Sequence, residues 1–471
     1  MQSVAKHYVN PGIEDGTSRP ARTEQIGLIQ EIAEAFDEFD VVTANVPPGY
    51  GKSFVARALQ RANHTCHIIT YSNDLIDQMK HTYPELNVVK GQDHYDSSAA
   101  YHYAHKAARS GTPSIFNPMS YYIARQRGLP APKLLIVDEA HLLLDMLLYV
   151  SAAIFPVHKT KIPENAQTEF DLIKWANTRY ELLKEAIKDP EAPGAAFSEF
   201  QKIAQIKDSI EAGTEKSVYQ LQRKIMRTGG RSTKCIILQP LKVPPGLIRS
   251  VTGAQKVLFL SGTLARTEGI DLAASRTHTH IARGYLMPAE SRKVRYRPVA
   301  REVRLDHELL CKRIREIYLN NPVPTVVHVT YNTQAIYQHL LNDLRPLINT
   351  TKNKAGIQEK FIAEGGIWLA SGVSEGIDLP GDHCRQVIVP TLLFPDKGAP
   401  FIQKRLGLSD GPYWYKVKTL QNTIQRLGRA LRSKDDYCDL WILDPAFSSI
   451  YNATKTEFPD LNVDWGEDTS V

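Results

Sequence analysis

One stretch narrows the possible folds more than any other: V-P-P-G-Y-G-K-S, Val46 to Ser53. It follows V-V-T-A-N, a β-branched run that reads as a buried strand. It precedes F-V-A-R-A-L-Q, whose apolar spacing is helical. Strand, glycine-rich turn and helix together form the context of a phosphate-binding loop. Gly49 and Gly51 let the backbone amides of the Pro48–Tyr50 turn curl around an anion. The helix start adds partial positive charge. Lys52 can then reach terminal phosphates, and Ser53 can present its hydroxyl to Mg²⁺. Val46 stands where the general pattern has its first glycine, which fits a variant opened by an apolar residue and a proline.

A second half of such a site follows at K-L-L-I-V-D-E-A-H, Lys133 to His141. An apolar strand ending in two carboxylates lets Asp138 hold a Mg²⁺ shell and Glu139 orient and deprotonate a water. Near the other end, Q-R-L-G-R-A-L-R places Gln425, Arg429 and Arg432 at i, i+4 and i+7, one face of an expected helix. Guanidinium groups there can meet a γ-phosphate, a contact worth roughly 10³ to 10⁵ in rate. Arg22 and Gln25 precede an amphipathic helix carrying Ile26, Ile29, Ile32 and Phe36, and a glutamine amide can pair with adenine in a bidentate way.

The 471 residues give room for two or three cores. A net charge of +6 permits nucleic-acid binding without demanding it. The cysteines, Cys66, Cys235, Cys311, Cys384 and Cys438, lie far apart, with no C-x-x-C pair to suggest zinc or a disulfide framework. The N-terminus has no apolar signal segment, and the run Leu142–Val157 is too short to span a bilayer, so no membrane partner and a cytoplasmic location are expected, nucleoid-associated or in a host cell if phage-encoded. His94, His102 and His105 form a cluster open to either a metal or packing reading.

Residues 145–234 change character. Helical spacing runs through Phe170, Ile173, Ala176, Tyr180, Leu183 and Ile187, continues in Phe200, Ile203, Ile206 and Ile210, and suggests a third helix at Val218, Leu221 and Ile225. The last part carries Arg223, Lys224, Arg227, Arg231 and Lys234, either a phosphate-tracking surface or a solvated helix face. K-V-L-F-L-S-G-T-L at Lys256 to Leu264 reads as a strand ending in small hydroxyl residues. A second α/β unit begins near Arg292, with S-G-V-S-E-G-I-D-L-P-G-D at Ser371 to Asp382 as an expected hinge. Tyr413, Trp414 and Tyr415 beside Lys416 allow base stacking, although core packing is the commoner use of such a cluster.

Taken in order, Arg22 and Gln25, V-P-P-G-Y-G-K-S, the Thr70–Leu75–Gln78 spacing, D-E-A-H, S-G-T-L, G-V-S-E-G-I-D-L-P-G and Q-R-L-G-R-A-L-R cover nearly the whole chain. The set resembles superfamily 2 DNA helicases of the XPD/DinG type. The resemblance implies an α/β fold of two RecA-like P-loop domains with a helical, arch-like insertion in the first. The expected boundaries are 1–144 and 235–290 for the first domain, 145–234 for the insertion and 291–471 for the second. It implies ATP and Mg²⁺ in the cleft, with Glu375, Gly376 and Asp378 joining the nucleotide site. It places single-stranded or forked DNA, or alternatively RNA, across Thr70, Ser72, Asn117, Thr330, Tyr331, Gly372 and Trp414, with 5′→3′ movement.

The sequence departs from that family at one place. Members hold an iron–sulfur cluster on four cysteines before D-E-A-H, whereas Asn87 to Pro132 has none, and Asp96 or Ser97 stands at the first position. The expectation is therefore no cluster, with a small insertion near residues 90–115 available as a pin. The leading reading is an ATP-dependent DNA helicase or translocase. The alternatives are a single-strand-stimulated ATPase that remodels without unwinding, and an RNA-directed helicase.

Overall fold

The computed structural model describes residues 21–46, 50–63, 65–71, 73–150, 152–157, 168–187, 199–200, 203–204, 219–228, 231–243, 245–282, 294–350, 353–372, 379, 381–431, 437–458 and 461–466. Five buried, mostly apolar residues form β1 (Val41–Asn45). Such a run has no polar face, which suits a strand covered on both sides of a parallel sheet. β2 (Cys66–Ile69), β3 (Asn87–Val89), β4 (Ser114–Phe116) and β5 (Leu134–Val137) join it.

After β6 (Ala153–Pro156), β7 (Tyr219–Thr228) and β8 (Arg231–Pro240), the chain returns with β9 (Lys256–Ser261) and β10 (His278–Ala282). The first sheet has the order β10-β1-β9-β5-β2-β4-β3, all parallel. This order seats β9 between β1 and β5. The phosphate loop, the S-G-T turn and the D-E-A-H turn therefore leave neighbouring strands at the same carboxyl edge, where open α/β sheets bind ligands.

A second parallel sheet holds β11 (Val294–Tyr296), β12 (Thr325–Val329), β13 (Leu347–Ile348), β14 (Ile367–Ser371), β15 (Gln386–Val389), β16 (Asp439–Ile442) and β17 (Val463–Asp464). Its order is β13-β14-β12-β15-β16-β11-β17. Each sheet is sandwiched by two apolar clusters, one per face. Two parallel α/β sheets match the expected two RecA-like domains.

The insertion differs from the helical reading. The Glu169–Ala186 helix forms as expected, but it packs on an antiparallel sheet of order β6-β8-β7. The third helix anticipated at Leu221 and Ile225 is β7. A spacing of four residues fits one face of a helix and, being even, also one face of a strand. Residues 235–240, expected in the motor domain, finish β8 and belong to this small sheet. Ile203 is buried there, while Ile206, Ile210 and Val218 lie outside the described residues.

The segment near 90–115 is mostly one crossover helix, Ser98–Arg109, between β3 and β4. It buries Ala104 and Ala108 in the domain core. Ser97, at the family's cysteine position, caps that helix by accepting a hydrogen bond from the Ala100 amide at 3.2 Å. His94 meets Asn73 at 2.9 Å, and His105 packs 4.3 Å from the Tyr101 ring. Among the described residues no group of three His, Cys, Asp or Glu could hold a metal, and no helix is long and apolar enough to cross a membrane.

Candidate nucleotide site at the domain junction

The phosphate loop ends at Gly51, whose φ of 92° is left-handed, just before the Lys52–Arg61 helix. A Cβ on Gly51 would stand 2.1 Å from Gln25 Nε2 and 2.9 Å from Arg22 Nη2. Glycine is needed here on both counts. Arg22 and Gln25 close over the loop because both donate to the Tyr50 carbonyl, at 2.7 and 3.0 Å. The Arg22 amide in turn fixes Gln25 by donating to its Oε1 at 3.0 Å. Pro48 and Gly49 lie outside the described residues.

Beneath this clamp is a cavity of about 450 Å³, lined by Arg22, Gln25, Gly51, Ser53, Thr70 and Asp138 among others. Thr70 is fully buried, and its hydroxyl has no hydrogen-bond partner in the protein. Asp138 is also buried, and burial together with the Glu139 charge pushes its carboxyl well above the usual range, with Lys52 pulling it back. A carboxylate short of positive charge beside the Ser53 hydroxyl is a hard-oxygen donor set of the kind that suits Mg²⁺. Ser53 and Asp138 would hold that ion.

Glu139 follows at φ 51°, an uncommon backbone for a non-glycine residue. Its carboxylate lies 3.6 Å from Lys52 Nζ and 3.4 Å from His141 Nδ1. Burial lowers His141 to about 4, so its ring is neutral and meets Ser261 Oγ at 2.8 Å. Ser261 accepts from the Thr263 amide at 3.0 Å. Gln425, from the second domain, then donates to Thr263 Oγ1 at 3.1 Å. Beside it Gln421 donates to the Thr263 carbonyl and to Glu268, each at 2.7 Å. Lys418 completes the row at 2.7 Å from Glu268 and 3.3 Å from Asp145.

Thus the strand-end turns of the first domain meet one face of the second domain's Gly411–Leu427 helix. Residues 324–461 match the helicase C-terminal domain family. Most of the second sheet therefore lies in a helicase C-terminal domain, and the chain as a whole has a helicase-like fold of two RecA-like units. Its fold is similar to that of an apo XPD, with a TM-score of 0.59 and 12% identity over 93% of this chain and 99% of that one. A second XPD helicase gives 0.57 and 13% over 96% and 100%, and Xpd4 of S. tokodaii gives 0.56 and 16% over 94% and 100%. A comparison of the sequence with curated proteins finds no match.

The chain departs from expectation at its last motif. Gln425 lies on the helix, but the helix stops at Leu427, and Gly428–Ala430 is a 3-10 turn. Leu431 is extended, so the helical face that carries Gln425 ends before it. Glycine weakens the helix here at Gly428, and Ala430 and Leu431 both bury in the second core. The Arg429 side chain, Arg432, Ser72, Glu375, Gly376 and Asp378 lie outside the described residues.

The residues expected on nucleic acid scatter along the carboxyl edges of both sheets. Asn117 follows β4, caps the Pro118–Gln126 helix and donates to Asn73 at 2.9 Å. Thr330 follows β12 and bonds Thr333, leaving the adjacent Tyr331 76% exposed. Gly372 follows β14 with a left-handed φ of 61°. Trp414 is half-buried beneath the Arg405 guanidinium, 4.9 Å away, while Tyr413 and Tyr415 bond inward to Glu457 and Pro395. Thr70 stands apart from this set, in the cavity with Ser53 and Asp138.

Sequence reasoning passed over His141, Glu268, Lys418 and Gln421. His141 was visible as the last letter of D-E-A-H. The other three carry no local signal, because their meaning comes from the docking of two domains.

Proposed function

We propose that this protein is a helicase, a motor on single-stranded DNA that couples ATP hydrolysis to 5′→3′ movement and duplex unwinding. The observation that carries the reading is the row of polar contacts from Glu139, 3.4 Å from His141, through the hydrogen-bonded His141, Ser261 and Thr263 to Gln425. It ties the group placed to activate water to the opposite domain, so hydrolysis and domain position share one set of contacts.

Lys52, held by Glu139 in this state, turns to the β- and γ-phosphates when ATP enters, which releases the Glu139 carboxylate to take a proton from the attacking water. Arg22 and Gln25 exchange the Tyr50 carbonyl for the base. A magnesium ion bound at Ser53 and Asp138 supplies charge neutralisation on the phosphates. Arg429 and Arg432 approach the γ-phosphate from the second domain.

Glu139→Gln tests the site. It is expected to keep nucleotide and DNA binding and to lose 10²- to 10⁴-fold in turnover, roughly the range for a general base. Wild-type turnover would remove Glu139 from this role. Unwinding of tailed duplexes of both polarities tests direction. A second reading, translocation without unwinding, is favoured by the cysteine-free segment being a packed crossover helix, and would appear as DNA-stimulated ATPase with no strand displacement.

A further inference from the structure

The insertion holds a charge imbalance that the motor chemistry does not use. From Ser217 to Thr267 the sequence has nine basic residues and no acidic one, although 51 acidic residues in 471 would place five or six in such a stretch. Five of the nine lie on the β7–β8 hairpin.

The hairpin is anchored at its base and bare beyond it. Leu221 faces Leu238, which is fully buried against the Glu169–Ala186 helix and β6. Paired residues share a face, and the face repeats every second residue. Moving outward on the Leu221 face, the next pairs are Arg223 with Ile236 and Ile225 with Lys234. Arg223, Lys224 and Lys234 are exposed, and Ile225 is 66% exposed. Two residue steps therefore turn a core face into a cationic one, on strands whose hydrogen-bond ladder already fixes the backbone. Rigid, regularly spaced cations around an exposed apolar side chain suit a polyanion with apolar groups between its charges.

We infer that the outer half of this hairpin, through Arg223 and Lys234 on the face of Ile225, binds the phosphodiester backbone of single-stranded nucleic acid, with Ile225 against a base or sugar. This rests on the reading of the protein as a nucleic-acid motor. It gives the insertion a role that the β-sheet carries and the adjoining helix does not.

The experiment measures the salt dependence of binding to fluorescent oligo-dT and oligo-rU for the wild type, for Arg223→Gln/Lys234→Gln, and for Lys312→Gln/Arg313→Gln. The last pair is exposed on the second domain and serves as a control for net charge. Each phosphate contact contributes about 0.7 to the slope of log K against log salt on a single strand, so the Arg223/Lys234 variant is expected to lose about 1.4 from the slope. The control keeps the wild-type slope, and ATPase without nucleic acid is unchanged in both. Loss on both polymers fits recognition of the backbone, and the polymer that stimulates hydrolysis more identifies the source. A wild-type slope in the Arg223/Lys234 variant, or an equal loss in the control, overturns the inference while leaving the motor reading intact. Absence of binding by the wild type to either polymer would instead sink both.

Discussion

Gln425 Nε2 donates to Thr263 Oγ1 across 3.1 Å, and the two residues belong to different domains. Thr263 stands two hydrogen bonds from His141 of the D-E-A-H turn, through Ser261, and Gln425 stands three away. If this contact transmits domain position to Glu139, Gln425→Ala and Thr263→Val should each lower stimulated turnover and leave nucleotide affinity within a few-fold of wild type. The double variant should cost little more than either single one, since coupled neighbours depart from additivity by about 0.5–3 kcal/mol. Steady-state ATPase on the four proteins gives the cycle. Fully additive losses would mean that the two residues act separately.

The Lys418 ammonium is buried between Glu268 and Asp145. Burial works against its charge, but the two carboxylates outweigh that and hold it well above the usual lysine range. Lys418→Met leaves Glu268, only 6% exposed, without its counter-charge. Removing one partner of a buried pair costs about 3–5 kcal/mol. Thermal unfolding should shift down by several degrees, and Lys418→Met/Glu268→Gln should recover much of it because no uncompensated charge remains. A single variant as stable as wild type would show that the pair contributes nothing to domain docking.

Thr70 offers the cavity a hydroxyl that the protein itself does not use. Thr70→Val keeps the shape and removes that group. Without ligand the variant should melt at or above the wild-type temperature, since a buried unsatisfied polar atom costs about 1–3 kcal/mol. A hydrogen bond to a charged phosphate is worth about 1.5–3 kcal/mol, so affinity for ATP should fall roughly 10- to 100-fold. Thr70→Ser should restore it. Unchanged nucleotide affinity with weakened oligonucleotide binding would return Thr70 to the nucleic-acid path.

These residues mark how far the sequence could be read. Walker-type chemistry was legible because its parts are local: a strand, a glycine turn and Lys52 within one short stretch, and Asp138 and Glu139 side by side. The two sheets followed from continuous apolar runs. The β7–β8 hairpin was not legible as strand, because Leu221 and Ile225 fit both periods. The end of the Gly411–Leu427 helix was missed because tertiary burial of Ala430 and Leu431 overrode a continuous helical spacing. Lys418, Gln421 and Glu268 depend on which faces dock, and no window of sequence contains that.

The neutral histidines give a pH signature. Burial holds His67, His141 and His280 each at about 4, against about 6.5 for a free ring. Between these values the unfolded chain binds more protons than the folded one, so stability is complete above about 6.5 and is lost as pH falls toward 4. Asp138 acts in the opposite sense, because its raised folded value favours the folded state while protonated and loses that advantage as pH rises. Asp271, pushed up to about 6 mainly by burial, acts in the same sense as Asp138, but three histidines outweigh two carboxylates over this range, so the melting temperature should fall on acidification from pH 7 to pH 5. His141→Asn can keep a side-chain contact to Ser261 without titrating, and should flatten that slope by about a third if the three rings contribute equally. A melting temperature that is flat or rises over this range would show that the rings are already charged in the folded protein.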